Sequence, residues 1–254
     1  QGYMNRSNGA NEAFTAGGGI IEVASDDDAL VLRSFRTDAN SAGATRVGNA
    51  SCISLLALDD TWDYIRLSRS TTQTGPTSAT WVDVQYDTQD EYDTGSFTHS
   101  TSTNPNNITL DTAGHYLVFA NTYGAMKTGS DRTLVRQRLT LDGTEIDGTL
   151  TTVYMRGNSN SNSIYEGAAS IGTIIETTSA NQVLNVEVNR GDGITAWTIN
   201  SNDAGSYVNR TGLTIVKLPD DADYIRLDDS GTDNLNPSSL TALGWDTEDE
   251  IDTS

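Results

Sequence analysis

The chain has 254 residues, 35% of them hydrophobic and 20% charged, and no apolar run nears the roughly 18 residues that a membrane-spanning helix needs. Thirty-five acidic residues against fifteen basic ones leave a formal charge of −20, a field that repels phosphate backbones and anionic membrane surfaces. Nucleic-acid binding and membrane insertion are therefore excluded as working readings.

In chain order, runs rich in Val, Ile, Thr and Tyr alternate with clusters of Gly, Asn, Ser and Asp. The spacing predicts strands over Trp81 to Tyr86, His115 to Tyr123, Leu134 to Leu141, Val183 to Val188 and Leu213 to Leu218. Leu184, Val186 and Val188 alternate with Asn185 and Glu187, the period of a strand with one wet face. No stretch sustains a helical apolar period, so the expected fold is all-β. Along His115 to Tyr123, Tyr116, Val118 and Ala120 point one way while Leu117 and Phe119 point the other. A strand apolar on both faces must be covered on both, by a partner subunit or by a loop.

The chain also repeats itself. Asp63-Tyr64-Ile65-Arg66-Leu67 returns as Asp223-Tyr224-Ile225-Arg226-Leu227, and Asp87 to Thr94 returns as Asp246 to Thr253. Tyr3-Met4 matches Tyr154-Met155, Ile20-Ile21-Glu22 matches Ile174-Ile175-Glu176, and Ile53 to Leu58 matches Leu213 to Leu218. The matches keep their order, as copies of one domain separated by loop insertions do. The expected division is the C-terminal part of one repeat over 1–60, an interdomain junction over 61–79, a complete repeat over 80–220, and the junction and first strand of a further repeat over 221–254. A flexible linker has no use for Trp62, Tyr64, Ile65 or the matching Tyr224 and Ile225. These residues are expected to dock on a neighbouring domain and set the spacing of an array.

Several motifs in the complete repeat resemble the jelly roll of the C1q/TNF-like superfamily. They are the acidic Asp87 to Thr94 strand, Ala113-Gly114-His115-Tyr116 before a long strand, the Asp142-Gly143 turn after Arg138 to Leu141, Gly191-Asp192 after Val188, and the terminal Gly212-Leu213-Thr214-Ile215. The resemblance covers 80–219 well and 1–60 in part. It implies tandem jelly-roll β-sandwich domains, one complete and two partial, that assemble as trimers. It also implies a place in a virion fibre, a head decoration or a microbial surface filament, and hence an extracellular, cell-surface or virion-surface location.

Chemistry has little to work with. His99 and His115 are the only histidines, and neither belongs to a nucleophile or metal-ligand motif, so no enzymatic activity is expected. No cofactor is expected either, except calcium. Asp87, Asp90 and Asp93, with their copies Asp246, Asp249 and Asp252, offer hard oxygen ligands without EF-hand spacing; solvated surface charge is the competing reading. Arg190-Gly191-Asp192 falls where a turn wants Gly and Asp for backbone reasons. Cys52, the single cysteine, reads as a small buried hydrophobe. The leading expectation is a non-enzymatic structural repeat unit that self-associates, as a trimer or a filament, and contacts neighbouring repeats. The alternative is a host- or glycan-binding adhesin, with Trp197 and Tyr207 as the aromatic platforms that sugar binding wants.

Overall fold

The structure is a computed structural model describing residues 58, 62–77, 79–92, 95–126, 132–156, 165–191, 197–199, 211–228 and 247–251. Two compact units are present, Gln1–Gly19 with Trp62–Ser254 and, separately, Ile20–Thr61. Apart from Leu58, all described residues belong to the first. The expected partial repeat over 1–60 otherwise lies outside the described residues.

Sixteen strands and no helix form the described part. They are β1 (Tyr64–Ser68), β2 (Gln73–Thr74), β3 (Val82–Asp83), β4 (Thr88–Tyr92), β5 (Phe97–Thr98), β6 (Ile108–Leu110), β7 (Gly114–Met126) and β8 (Arg132–Leu141) in the first half. β9 (Thr144–Glu145), β10 (Thr151–Arg156), β11 (Tyr165–Thr177), β12 (Gln182–Arg190), β13 (Thr198–Ile199), β14 (Gly212–Lys217), β15 (Ile225–Asp228) and β16 (Thr247–Ile251) follow. Every pairing is antiparallel.

In the first sheet β11 runs along one edge of β7, and β14 and β13 lie end to end along the other. β1 and then β4 continue beyond β14, and β2 lies beyond β13. The second sheet centres on β8 and β12, flanked by β10 and β9 on one side and by β6, β3 and β5 on the other. β15 and β16 pair separately.

The two large sheets share one core, which makes this a β-sandwich. Tyr116, Val118 and Ala120 of β7, Ile175 of β11, Ile215 and Leu213 of β14, and Ile65 and Leu67 of β1 meet Leu139 of β8 and Leu184, Val186 and Val188 of β12. Gln137, fully buried on β8, donates from Nε2 to the Ala120 carbonyl at 3.2 Å. Tyr116 packs edge-on against Phe97, with ring centroids 5.8 Å apart, and donates its hydroxyl to the Thr112 carbonyl at 2.7 Å. The Ala113-Gly114-His115-Tyr116 motif thus anchors the start of β7 from inside the core.

The expected Asp-Gly turn is a two-residue hairpin loop between β8 and β9. Asp142 and Gly143 both have positive φ, 50° and 78°, the conformation of a type I′ turn whose twist suits antiparallel strands. Asp142 also accepts hydrogen bonds from the Val183 N–H at 2.8 Å and from Gln182 Nε2 at 2.9 Å. These bonds hold its carboxyl below the usual carboxylate range.

Two expectations change here. The run from Trp81 to Tyr86 is regular strand only over Val82–Asp83, although Val84 and Tyr86 still donate backbone bonds to Val186 and Pro105. The larger difference concerns the segment read as a junction. Tyr64–Ser68 is a strand within the first sheet, hydrogen-bonded to β14 on one side and β4 on the other. Ile65 and Leu67 are 0% and 1% exposed. The alternation of Ile65 and Leu67 with Tyr64 and Arg66 feeds the sandwich core, so Ile65 is a core residue of this sandwich rather than a contact to a neighbouring one.

Candidate functional site

The register of the first sheet aligns its outer face residue by residue. Tyr64 of β1 stands opposite Val216 of β14, Val216 opposite Leu117 of β7, and Leu117 opposite Ile174 of β11. The neighbouring row runs Arg66, Thr214, Phe119 and Gly172. Leu117 and Phe119 therefore occupy the face turned away from the core, as their alternation predicts, and both are partly buried. The Phe119 ring lies across Gly172, where a Cβ would stand 3.1 Å from it; a glycine in a strand often marks such a close approach. The row is flanked by Arg66, ion-paired at 3.5 Å with Glu91 of β4, and by His115, whose ring packs against that of Tyr224 at a tilt of 58°, with centroids 4.8 Å apart. The result is an apolar row across four strands, in which Val216 is already covered within the chain and Tyr64, Leu117 and Ile174 are half-buried.

The remaining assembly candidates divide. Trp62 and Tyr64 are half-buried at the start of β1, whereas Ile65 is core. Tyr224 lies against His115, and Ile225, the repeat copy of Ile65, is 59% exposed. Arg226 beside it donates to the Asp147 carbonyl.

Of the calcium candidates, Asp87 is fully engaged by protein donors. Its carboxylate accepts from the N–H groups of Ser70 and Thr71, at 2.5 and 3.1 Å, and from the Thr71 and Thr88 hydroxyls. Burial alone would raise its pKa, but these hydrogen bonds outweigh it and hold the carboxyl at about 2. Asp87 locks a turn and has little lone-pair capacity left for a cation. Asp90 is exposed on β4. Asp249 lies on β16, but Asp93, Asp246 and Asp252 lie outside the described residues. Among the described residues no group of three metal-ligating side chains converges.

The adhesin reading loses one of its two platforms. Trp197 is 1% exposed. A Cβ on Gly75 would lie 2.7 Å from its ring, and one on Gly124 would lie 3.1 Å from it, so the indole is packed between two glycine-bearing backbones. A sugar needs an open aromatic face, and this one is closed. Tyr207 lies outside the described residues.

The sequence did not single out the charge cluster on the outer face of the second sheet. Arg138 sits 4.0 Å over the Trp81 ring and bridges Glu187 at 2.6 Å and Glu145 at 2.5 Å. Asp83, opposite Glu187 across the strand pair, is raised in pKa by burial and by the Glu187 charge. This is a partly exposed structural network, with its one guanidinium already shared between two carboxylates. His99 is half-buried between Gln89 and the Pro105 carbonyl, and its pKa is lowered by burial. Gly191 of the Arg190-Gly191-Asp192 motif donates its N–H to the Leu134 carbonyl at 2.9 Å, continuing the β12–β8 ladder; Asp192 lies outside the described residues.

Set against models of known protein families and against curated proteins, the chain matches none.

β15 and β16 form a strand pair of their own. β15 and β16 pair as Ile225 with Ile251, Arg226 with Glu250, Leu227 with Glu248 and Asp228 with Thr247, with a bulge between Arg226 and Leu227. β1 and β4 pair as Ile65 with Tyr92, Arg66 with Glu91, Leu67 with Gln89 and Ser68 with Thr88, with the bulge between Arg66 and Leu67. The same register and the same irregularity therefore occur twice in one chain.

Proposed function

We propose that this protein is a non-enzymatic structural unit, a tandem array of C1q/TNF-like jelly-roll domains that self-associates into an extracellular filament or a virion fibre or decoration. The observation that carries the reading is the recurrence of the β1–β4 strand pair as β15–β16, bulge included. A bulge is a position-specific feature of a strand pair, and its repetition favours a second copy of one domain over an unrelated strand pair. Consecutive copies of one domain in one chain are what an extended assembly is made from. The half-buried Tyr64, Leu117 and Ile174 leave part of the outer face of the first sheet open to self-association of the kind the resemblance implies, while Val216 among them is already covered within the chain. The acidic composition suits an exposed surface, because like charge keeps assemblies apart in solution.

The test is the solution mass of the full chain, by light scattering coupled to size exclusion over a hundredfold range of concentration. A mass at an integral multiple of the single chain supports the reading. A single-chain mass throughout overturns it.

A further inference from the structure

We propose that two opposite sides of the sandwich are complementary docking surfaces, the β4–β5 side of one copy of this chain seating on the β10–β11 side of another. This deepens the assembly reading above and rests on it.

The two sides follow from the strand order. β4 ends the first sheet and β5 the second, and the Tyr92 hydroxyl donates to the Phe97 carbonyl at 2.7 Å, so these two edges lie together. At the other end of the sheets lie β11 and β10, where a Cβ on Gly167 would stand 3.0 Å from Met155 and 3.1 Å from Val153. Among the described residues β4 pairs only with β1, and β10 only with β8. Large apolar side chains stay exposed on both sides: Tyr92 of β4 at 36%, Leu150 just before β10 at 53%, and Tyr154 of β10 at 40%. Thr151, Thr152, Val153 and Tyr154 are strong strand formers, with no proline, lysine or bulge among them to blunt the edge.

Charge decides which side meets which. β8 and β10 together carry Arg132, Arg136, Arg138 and Arg156 and no carboxylate, in a chain of formal charge −20. The register sets Arg156 opposite Arg132, and Thr152 opposite Arg136. Arg138 is taken by Glu145 and Glu187. Arg136 lies across the Gly191 backbone, where a Cβ would stand 2.7 Å from its Nε, and no carboxylate of the described residues pairs with it. β4 is the opposite case, with Asp90 and Glu91 and no base. Its register passes from Glu91 to Gln89 opposite Arg66 and Leu67, so Asp90 is the extra residue of the bulge. It is exposed, and a bulge re-aims such a side chain. Two β4 edges repel each other, as do two β10 edges, while a β4 edge and a β10 edge attract. Both halves of the complementary pair are on one chain, so the occupant of each side is the opposite side of a second copy. Such a contact is heterologous, and it closes as a ring or propagates as a filament.

Full-chain variants altered on one side only supply the experiment, read as mass by light scattering coupled to size exclusion. Tyr154→Glu sets a carboxylate on the β10 edge, and Asp90→Arg sets a guanidinium on the β4 edge; both positions are exposed. Each variant alone should keep the parental circular dichroism and need at least about tenfold more protein than the parent to associate. Mixed in equal amounts they should associate again, because the β4 side of the first and the β10 side of the second are unaltered. Leu150→Glu and Gln89→Arg, on the same two sides, replace either variant that fails to fold. An unchanged mass for either variant alone, or a mixture that associates no better than its components, overturns the docking. A parent that associates, with variants that associate equally well, leaves the assembly reading standing and sinks this one. A parent that is monomeric throughout sinks both.

Discussion

Ile65 and Ile225 are the same residue of the same repeat element in two surroundings, and truncating each to Ala separates the core-strand reading of 64–68 from the junction reading. Ile65→Ala removes three carbons from a side chain that is 0% exposed. At about 0.8 kcal/mol per buried methylene the transfer loss is about 2.4 kcal/mol, and the residual cavity brings the cost to about 3–4 kcal/mol. For a domain of this size that is a fall in Tm of roughly 6–16 °C. Ile225→Ala, at 59% exposure, should change the stability of the sandwich by no more than about 0.5 kcal/mol. The assay is urea unfolding of the full chain followed by tryptophan fluorescence, in which the buried Trp197 reports on the core, with equal m-values as the check that the two variants unfold comparably. A cost below about 1 kcal/mol for Ile65→Ala would refute the placement of β1 in the sandwich and restore the segment as an interdomain contact.

Two further outcomes follow from single residues. Asp87 has a carboxyl held at about 2, below its unfolded value near 3.8, so its contribution is fully present above about pH 4 and is lost as pH falls toward 2. Asp87→Asn should cost about 1 kcal/mol at pH 7, a figure reduced for solvent screening, and should flatten the acid limb of stability between pH 4 and 2; a parallel limb in variant and parent argues against the lock. Gly75→Ala sets a methyl 2.7 Å from both the ring and the carbonyl of Trp197, so it should cost about 1–3 kcal/mol as overpacking and shift the tryptophan emission. Unchanged emission and stability would mean that the indole is not clamped there.

Much of the sandwich is legible in the sequence because its signals are local. The Asp142-Gly143 turn declares itself by composition, and β12 by the alternation of Leu184, Val186 and Val188. β11 was not legible as a long strand. Gly167, Ala168, Ala169, Ser170 and Gly172 have poor strand propensity, and only the structure supplies the reason they are there. A Cβ on Gly167 would press on Met155 and Val153, and one on Gly172 would press on Phe119. The small residues of β11 make room for large ones on other elements, a relation that no window along the chain contains. Trp197 reads equally as core or as an exposed platform in the sequence, because Gly75 and Gly124, which enclose it, are far from it along the chain. The junction was a different case. Its alternation was visible, but its place after a terminal strand made it look like the space between domains rather than the first strand of the next.

The domain's first strand and its last are hydrogen-bonded neighbours, with Tyr64 opposite Val216 and the Lys217 N–H bonded to the Asp63 carbonyl. The chain therefore enters and leaves the sandwich side by side, at one corner. Mechanical tension transmitted along the polypeptide would meet the domain at that corner and act across the β1–β14 ladder as an unzipping force, loading its bonds one after another from Lys217 inward. A module connected this way yields early under pull, by peeling its own boundary strands, so a thread built from it would be extensible rather than stiff unless contacts between chains share the load.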